Sequence, residues 1–258
     1  MIIPGPDCCN NGLVGQEKVD QDEIGDALRR CSVSDMMGSM VTNRQTDKVL
    51  QLVRHTIRAW EPAVVGKIAE RSHDPFRVLI SCILSQQTKD EVTGLASERL
   101  YRLGDRPDSM LALTERRIAR AIYPVSFYRT KAKTIRKVCR ALLARFGARV
   151  PDSLEALLSL NGVGRKTANL VLTVGYRKAG ICVDTHVHRI SNRWGYVKTN
   201  TPDQTEMALR RKLPKRHWIT YNDLLVPFGQ HLCRPISPFC SRCPIDRWCA
   251  KVGVTIHR

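Results

Sequence analysis

The chain has no apolar run approaching the length needed to span a bilayer, and its N-terminus lacks the layout of a signal peptide. A soluble intracellular protein with no membrane partner is expected. There is no convincing strand hairpin and no internal repeat, so an all-α architecture of two helical lobes is expected. The chain is also short of acid. It carries 24 Asp and Glu against 42 Lys and Arg, a formal net charge of +18 over 258 residues. Such an excess calls for a polyanionic partner. No strongly basic helix with an aromatic apolar face stands out, which favours nucleic acid over a membrane surface. The shortage of acid is uneven. Residues 1–44 hold four Lys or Arg against seven Asp or Glu, so the whole positive excess lies beyond them.

Those 44 residues mix Gly, Pro, Asn and acids with little periodicity, and they read as a largely disordered tail. Glu23 to Arg30 could form a short helix there, and Met36, Met37 and Met40 are alternative start sites. From Thr46 to Trp60 the positions of Val49, Leu52, Val53, Ile57 and Trp60 predict an amphipathic helix. Phe76 to Leu84 predicts a helix buried on most sides, followed by a polar segment, Ser85 to Asp90, that opens another helix. Asp108 is the expected N-cap of a helix from Ser109 to Leu113. Tyr123 to Tyr128 breaks the helical pattern, and Lys131 to Phe146 resumes it, ending near Gly147. Further helices are expected over Thr205–Leu213 and His217–Gly229.

The most informative stretch is Leu160-Asn161-Gly162-Val163-Gly164-Arg165-Lys166-Thr167-Ala168. Leu154, Leu157 and Leu158 precede it at helical spacing, with Asp152 and Glu155 as a D-x-x-E start signal. Ala168, Val171, Leu172 and Gly175 follow it at i, i+3, i+4, i+7. Gly162 and Gly164 therefore sit in a tight turn between two helices, where positive φ or close backbone approach is wanted. Such a turn frees N–H groups at the second helix's start, and the arrangement reads as a helix-hairpin-helix gripping a phosphate. Lys166 lies about 200° round from Ala168, on the face of Asn169 and Thr173. A neutral amine there can attack a sugar carbon and form a Schiff base. A lysine that only neutralises phosphate would sit in the same place, and spacing leaves both readings open.

Ten cysteines in an intracellular chain argue for metal over disulfides. Cys8, Cys9 and Cys31 lie in the acidic tail, and Cys82, Cys139 and Cys182 sit among apolar residues as buried small hydrophobes. Cys233, Cys240, Cys243 and Cys249 form C-x6-C-x2-C-x5-C. Four thiolates so placed suit tetrahedral zinc or an iron–sulfur cluster. Structural zinc more often uses two C-x2-C pairs, and the uneven spacing here favours a 4Fe–4S cluster whose role is to staple the C-terminal loop.

Leu160–Ala168, Asp184 in Val183-Asp184-Thr185-His186, and the four-cysteine loop together resemble the endonuclease III family of DNA glycosylases, over roughly residues 45–250. Ile122-Tyr123-Pro124-Val125 and Val183 to Ile190 are similar to the branch containing eukaryotic homologues. The resemblance implies a six-helix barrel domain with the helix-hairpin-helix at 68–178, a cluster domain built from 45–67 plus 179–252, and a DNA cleft between them. It implies a bifunctional glycosylase and AP lyase that removes oxidised pyrimidines from double-stranded DNA and nicks 3′ to the abasic site by β-elimination. A monomer acting where the genome is, in nucleoid, nucleus or mitochondrion, is expected.

By that resemblance Lys166 is the Schiff-base nucleophile and Asp184 the essential carboxylate, which can also cap the helix that follows. Gln87 and Phe127 fall where side chains fill the hole left by an extruded base, although either could be an ordinary surface or core residue. Gly162, Val163, Gly164 and Arg165 would meet the DNA strand, and Asp90 and His186 could touch the base or simply bridge locally. Two departures stand out. Asn161 replaces the family's usual proline, and the loop Arg234 to Phe239 has one basic residue where relatives often carry more, with Arg242 and Arg247 as compensating charges. The rival readings are a monofunctional mismatch glycosylase, which Lys166 argues against, and a non-catalytic DNA-binding module, which the pairing of Lys166 with Asp184 argues against.

Overall fold

A computed structural model describes residues 41–60 and 62–258. The readings placed on residues 1–40, namely the Glu23–Arg30 helix, the three start methionines and Cys8, Cys9 and Cys31, lie outside the described residues. The last four residues of the expected tail are built into the fold. Val41 is 2% exposed, and Thr42 caps helix α1 (Asn43–Ile57) by donating its N–H to Gln45 Oε1 at 3.0 Å. The helix therefore begins three residues earlier than its apolar periodicity suggested, because the cap carries no hydrophobic signal.

Among the described residues the secondary structure is helical throughout, and two hydrophobic cores form. The first is enclosed by α2 (Val64–Ser72), α3 (Pro75–Ser85), α4 (Asp90–Tyr101), α5 (Pro107–Ala112), α6 (Glu115–Ile122), α7 (Tyr128–Phe146), α8 (Leu154–Leu158) and α9 (Arg165–Leu170). At its centre lies α3, started by Pro75 at the first helical position and by Asp74, whose Oδ1 accepts from Phe76 N at 2.8 Å. Val78, Leu79, Ile80, Ile83 and Leu84 are fully buried there, each contributing roughly 1.5–3 kcal/mol. Helix α9 runs on through a wider π-type turn, Val171–Gly175.

The second core joins α1 to α10 (Thr185–Arg193), α11 (Pro202–Lys212) and α12 (Trp218–His231), with the C-terminal loop packed beneath them. Val65 and Ala69 of α2 belong to the first core, so the expected partition between residues 67 and 68 falls inside a single helix. The expected Asp108 cap is corrected: α5 starts at Pro107 behind Arg106, and Asp108 instead pairs with Arg106 at 3.0 Å. The break near residue 125 is a cis Tyr123–Pro124 bond followed by Phe127 in the left-handed region, from which α7 departs.

Candidate active site

The hairpin is built from α8, a turn, and α9. Ser153 caps α8 by accepting from Ala156 N at 3.3 Å, displacing the expected Asp152–Glu155 box, while Asp152 pairs with Lys178 at 2.6 Å. Leu160 and Val163 are buried and anchor the turn, so only the backbone of Val163 can face a partner. Gly162 has φ of 89°, and a Cβ there would come within 2.4 Å of Thr134 Cγ2. Gly162→Ala is expected to cost about 1–3 kcal/mol, read as a lowered Tm. An unchanged Tm would show that the turn tolerates the strain. At Gly164, the N-cap of α9, nothing lies within 4 Å of an added Cβ, and the helix start is sterically open.

Asn169 and Thr173 are buried, so the face of α9 turned away from the Ala168 stripe is the seam between the two cores. Along it, Glu206 of α11 is 2% exposed and takes Arg165 Nε at 3.0 Å, Arg165 Nη2 at 2.9 Å and Arg210 Nε at 2.9 Å. Arg210 Nη2 continues to Asn169 Oδ1 at 3.0 Å. Arg165 is thus committed to a buried carboxylate across the seam. Removing one member of such a cluster costs about 3–5 kcal/mol, since it strands a desolvated charge.

The seam also brings the two central residues together. Lys166, its side chain 55% exposed, places Nζ 3.8 Å from Oδ2 of Asp184, whose side chain is 9% exposed. Asp184 Oδ1 meanwhile accepts from His186 N and Val187 N, both at 2.9 Å, and so caps α10. One oxygen holds the helix and the other faces the amine. Cys182 lies beneath, its Sγ 3.7 Å from the Lys166 carbonyl, and burial pushes its thiol well above the usual range. Burial likewise pushes Cys82 up to about 12. Both are inert thiols that pack, as their apolar surroundings in the sequence implied.

His186 is half-buried, and burial lowers its pKa, so the imidazole is neutral at pH 7. Its Nδ1 lies 3.1 Å from Arg189 Nη2, which also donates to Gly229 O at 3.1 Å and Cys233 O at 2.9 Å. Sequence reasoning passed over Arg189, because the carbonyls it binds lie 40 and 44 residues away. Asp90 accepts from Val64 N at 3.3 Å and so links α4 to the start of α2. Gln87 and Phe127 are both exposed, Phe127 at 67%, and both hold left-handed backbone, with φ of 53° and 55°.

Cys233, Cys240, Cys243 and Cys249 line one cavity, walled by Trp194, Phe228, Leu232 and Phe239. Burial pushes Cys243 up to about 12 and Cys249 up to about 11, and the four sulfurs interact electrostatically with one another. Arg193 Nη1 donates to Cys233 Sγ at 3.5 Å. Among the described residues no three His, Cys, Asp or Glu side chains converge as ligands of a single ion. Four soft donors lining one cavity form a donor set that fits a thiolate-bound metal centre. Outside it, Arg234, Arg242 and Arg258 stack on Phe239, and Arg247 on Trp248.

Known proteins resemble this arrangement in sequence and in shape. The HhH-GPD superfamily of base excision DNA repair proteins matches residues 80–215. Endonuclease III of Thermotoga maritima is 48% identical over 176 residues, 68% of this chain and 83% of that protein. A chloroplastic endonuclease III homologue of Arabidopsis thaliana is 46% identical over 219 residues, and the chain spans 57% of its length. A structure of a trapped endonuclease III–DNA covalent intermediate superposes with a TM-score of 0.71 at 29% identity, covering 81% of this chain and 96% of that one.

Proposed function

The chain belongs to the endonuclease III family of helix-hairpin-helix base excision repair proteins, and from that premise we propose that Lys166 and Asp184 perform its chemistry on damaged pyrimidines. It is a DNA glycosylase and AP lyase that binds DNA and acts on the genome. Among the described residues no helix is long and apolar enough to cross a membrane. The observation that carries the assignment of residues is the 3.8 Å approach of Lys166 Nζ to Asp184 Oδ2 at the seam.

The roles follow from charge and geometry. As the glycosidic bond breaks, the base leaves with the bonding pair and the sugar gains oxocarbenium character, which the Asp184 carboxylate offsets. The Lys166 lone pair forms the new bond to C1′; once the nitrogen has lost a proton, its pair expels O4′, which takes up a proton as the C1′–O4′ bond breaks, and the opened sugar is left as an iminium. That iminium acidifies the C2′ proton. Its removal expels the 3′ phosphate by β-elimination, and water then releases the amine. Asp184 accepts and returns the protons that the amine must lose and regain, with one oxygen left for this work while the other stays on its helix. The two cores act as two domains, with the DNA seated between them, the α9 hairpin on the strand, Gln87 and Phe127 filling the vacated stack, and His186 and Asp90 near the extruded base. A monomer suffices, because every group in this scheme comes from one chain.

Cys233, Cys240, Cys243 and Cys249 would hold a 4Fe–4S cluster. When bound, it supplies metal–thiolate bonds that tie the C-terminal loop to α12. Purified protein is expected to absorb near ~400 nm, as iron–sulfur thiolate sites do, and Cys243→Ser to lose that band together with most of the bound iron. Colourless protein with stoichiometric zinc would overturn the cluster assignment. The substrate class is tested with duplexes carrying thymine glycol, dihydrouracil, urea or hydroxylated cytosine, each beside a mismatched-adenine duplex. Excision of the damaged pyrimidines with strand nicking supports the reading. Excision of adenine without nicking would favour the monofunctional alternative.

A further inference from the structure

Lys131 opens the exposed-to-buried pattern of α7 like any amphipathic-helix lysine, yet its side chain runs inward and the residue is only 5% exposed. Its amine donates to Leu84 O at 2.8 Å, to Gln86 O at 2.5 Å and to Thr88 Oγ1 at 3.1 Å, which uses all three of its hydrogens. Leu84 and Gln86 end α3, where carbonyls lack helical partners and a cation is favoured. The same cation sits in the first turn of α7, where the helix dipole disfavours it. Among the described residues no carboxylate pairs with it. An apolar side chain would fill the space without that desolvation cost, so packing alone does not explain an ammonium here.

What the amine holds is the loop that presents Gln87. Both neighbours of Gln87 are tied to it, Gln86 through its carbonyl and Thr88 through its hydroxyl. Thr88 Oγ1 in turn accepts from Ser126 N at 3.2 Å, and the Phe127 carbonyl accepts from Lys131 N at 2.9 Å. Gln87 and Phe127, both exposed and both with left-handed backbone, are therefore flanked on their two loops by atoms bonded to Lys131 or to Thr88. Left-handed backbone is disfavoured for residues other than glycine, and these hydrogen bonds flank both positions that adopt it.

We propose that Lys131 is a positioning residue that fixes the spacing between Gln87 and Phe127, so that both enter the duplex together when a base is extruded. This rests on the glycosylase reading. The amine touches neither Lys166 nor Asp184, so the chemistry itself does not require it. Its effect is confined to substrates with a stack to be opened and refilled.

The test uses the full, cluster-loaded chain and two substrates: a duplex containing dihydrouracil, and a single strand containing an abasic site. Lys131→Met is expected to lower kcat/KM for excision from the duplex about tenfold to a hundredfold, as a wedge misplaced by an ångström would. Borohydride trapping on the single strand should change by less than about threefold. Thr88→Val, at a half-buried loop position, removes the acceptor shared by both loops and should show the same split at about fivefold. A 2-aminopurine opposite the lesion reports entry of the wedges, and its fluorescence rise should be smaller in both variants. Equal losses on the two substrates would reduce Lys131 to a structural lysine, and an undiminished duplex rate would exclude the proposal outright. If Lys131→Met does not fold, Thr88→Val decides by the same comparison. Wild-type protein that traps neither substrate would instead refute the glycosylase reading beneath it.

Discussion

Lys166→Ala is expected to abolish the covalent adduct that borohydride traps between this protein and an abasic site, and to lower strand cleavage by at least about a thousandfold. Lys137→Ala, an exposed lysine on α7, should leave both unchanged. The expectation depends on what the amine can do that a point charge cannot. A lysine that merely neutralised one phosphate would, when removed, weaken DNA binding and reduce the slope of log affinity against log salt by about one, with chemistry intact. Lys166 is placed otherwise. Its Nζ stands 3.8 Å from the nearly buried Asp184 carboxylate, a partner that a phosphate-binding lysine does not need and that competes with phosphate for it. The amine remains half-exposed, so a sugar can reach it. Retained adduct with a reduced salt slope would reverse the assignment and leave the hairpin as a DNA grip alone.

Why the sequence revealed so much of this site, and where it fell silent, has a physical basis. The hairpin was legible because a turn with φ of 89° needs glycine and because the leucines flanking it keep helical spacing. The capping side of Asp184 was legible because a cap lies adjacent to the helix it caps, whereas its place opposite Lys166 entered only through the family resemblance. The four cysteines were legible as a candidate ligand set because clustered thiolates suit soft-metal chemistry. Contacts between distant segments were not legible. Glu206 lies 41 residues from Arg165, and Lys131 lies 43 to 47 residues from the atoms it holds. Each of these residues fits its own helix as an ordinary solvated charge, and only packing reveals that it is buried. Asp152 and Ser153 are both good caps, and which is used depends on where the chain enters α8 and on the pull of Lys178 upon Asp152.

The two oxygens of Asp184 face different partners, one the start of α10 and the other the Lys166 amine, and a single substitution separates the cap from the proposed chemistry. Asparagine keeps an oxygen able to accept from His186 N and Val187 N, and it is among the best capping residues, so Asp184→Asn should alter stability by no more than a few tenths of a kcal/mol. Alanine removes the cap as well and should cost about 1 kcal/mol more, visible as a drop in Tm. Neither an amide nor a methyl can offset positive charge growing on the sugar or take a proton from Lys166. Both variants should therefore lose about 10²- to 10⁴-fold in single-turnover excision, while affinity for duplex containing an uncleavable abasic analogue changes by less than about threefold. The two readouts together are diagnostic. If Asp184→Asn keeps most of its turnover and only Asp184→Ala fails, the carboxylate is a scaffold for α10 and the proton traffic must pass through another group, with the neutral His186 beside it the first to examine.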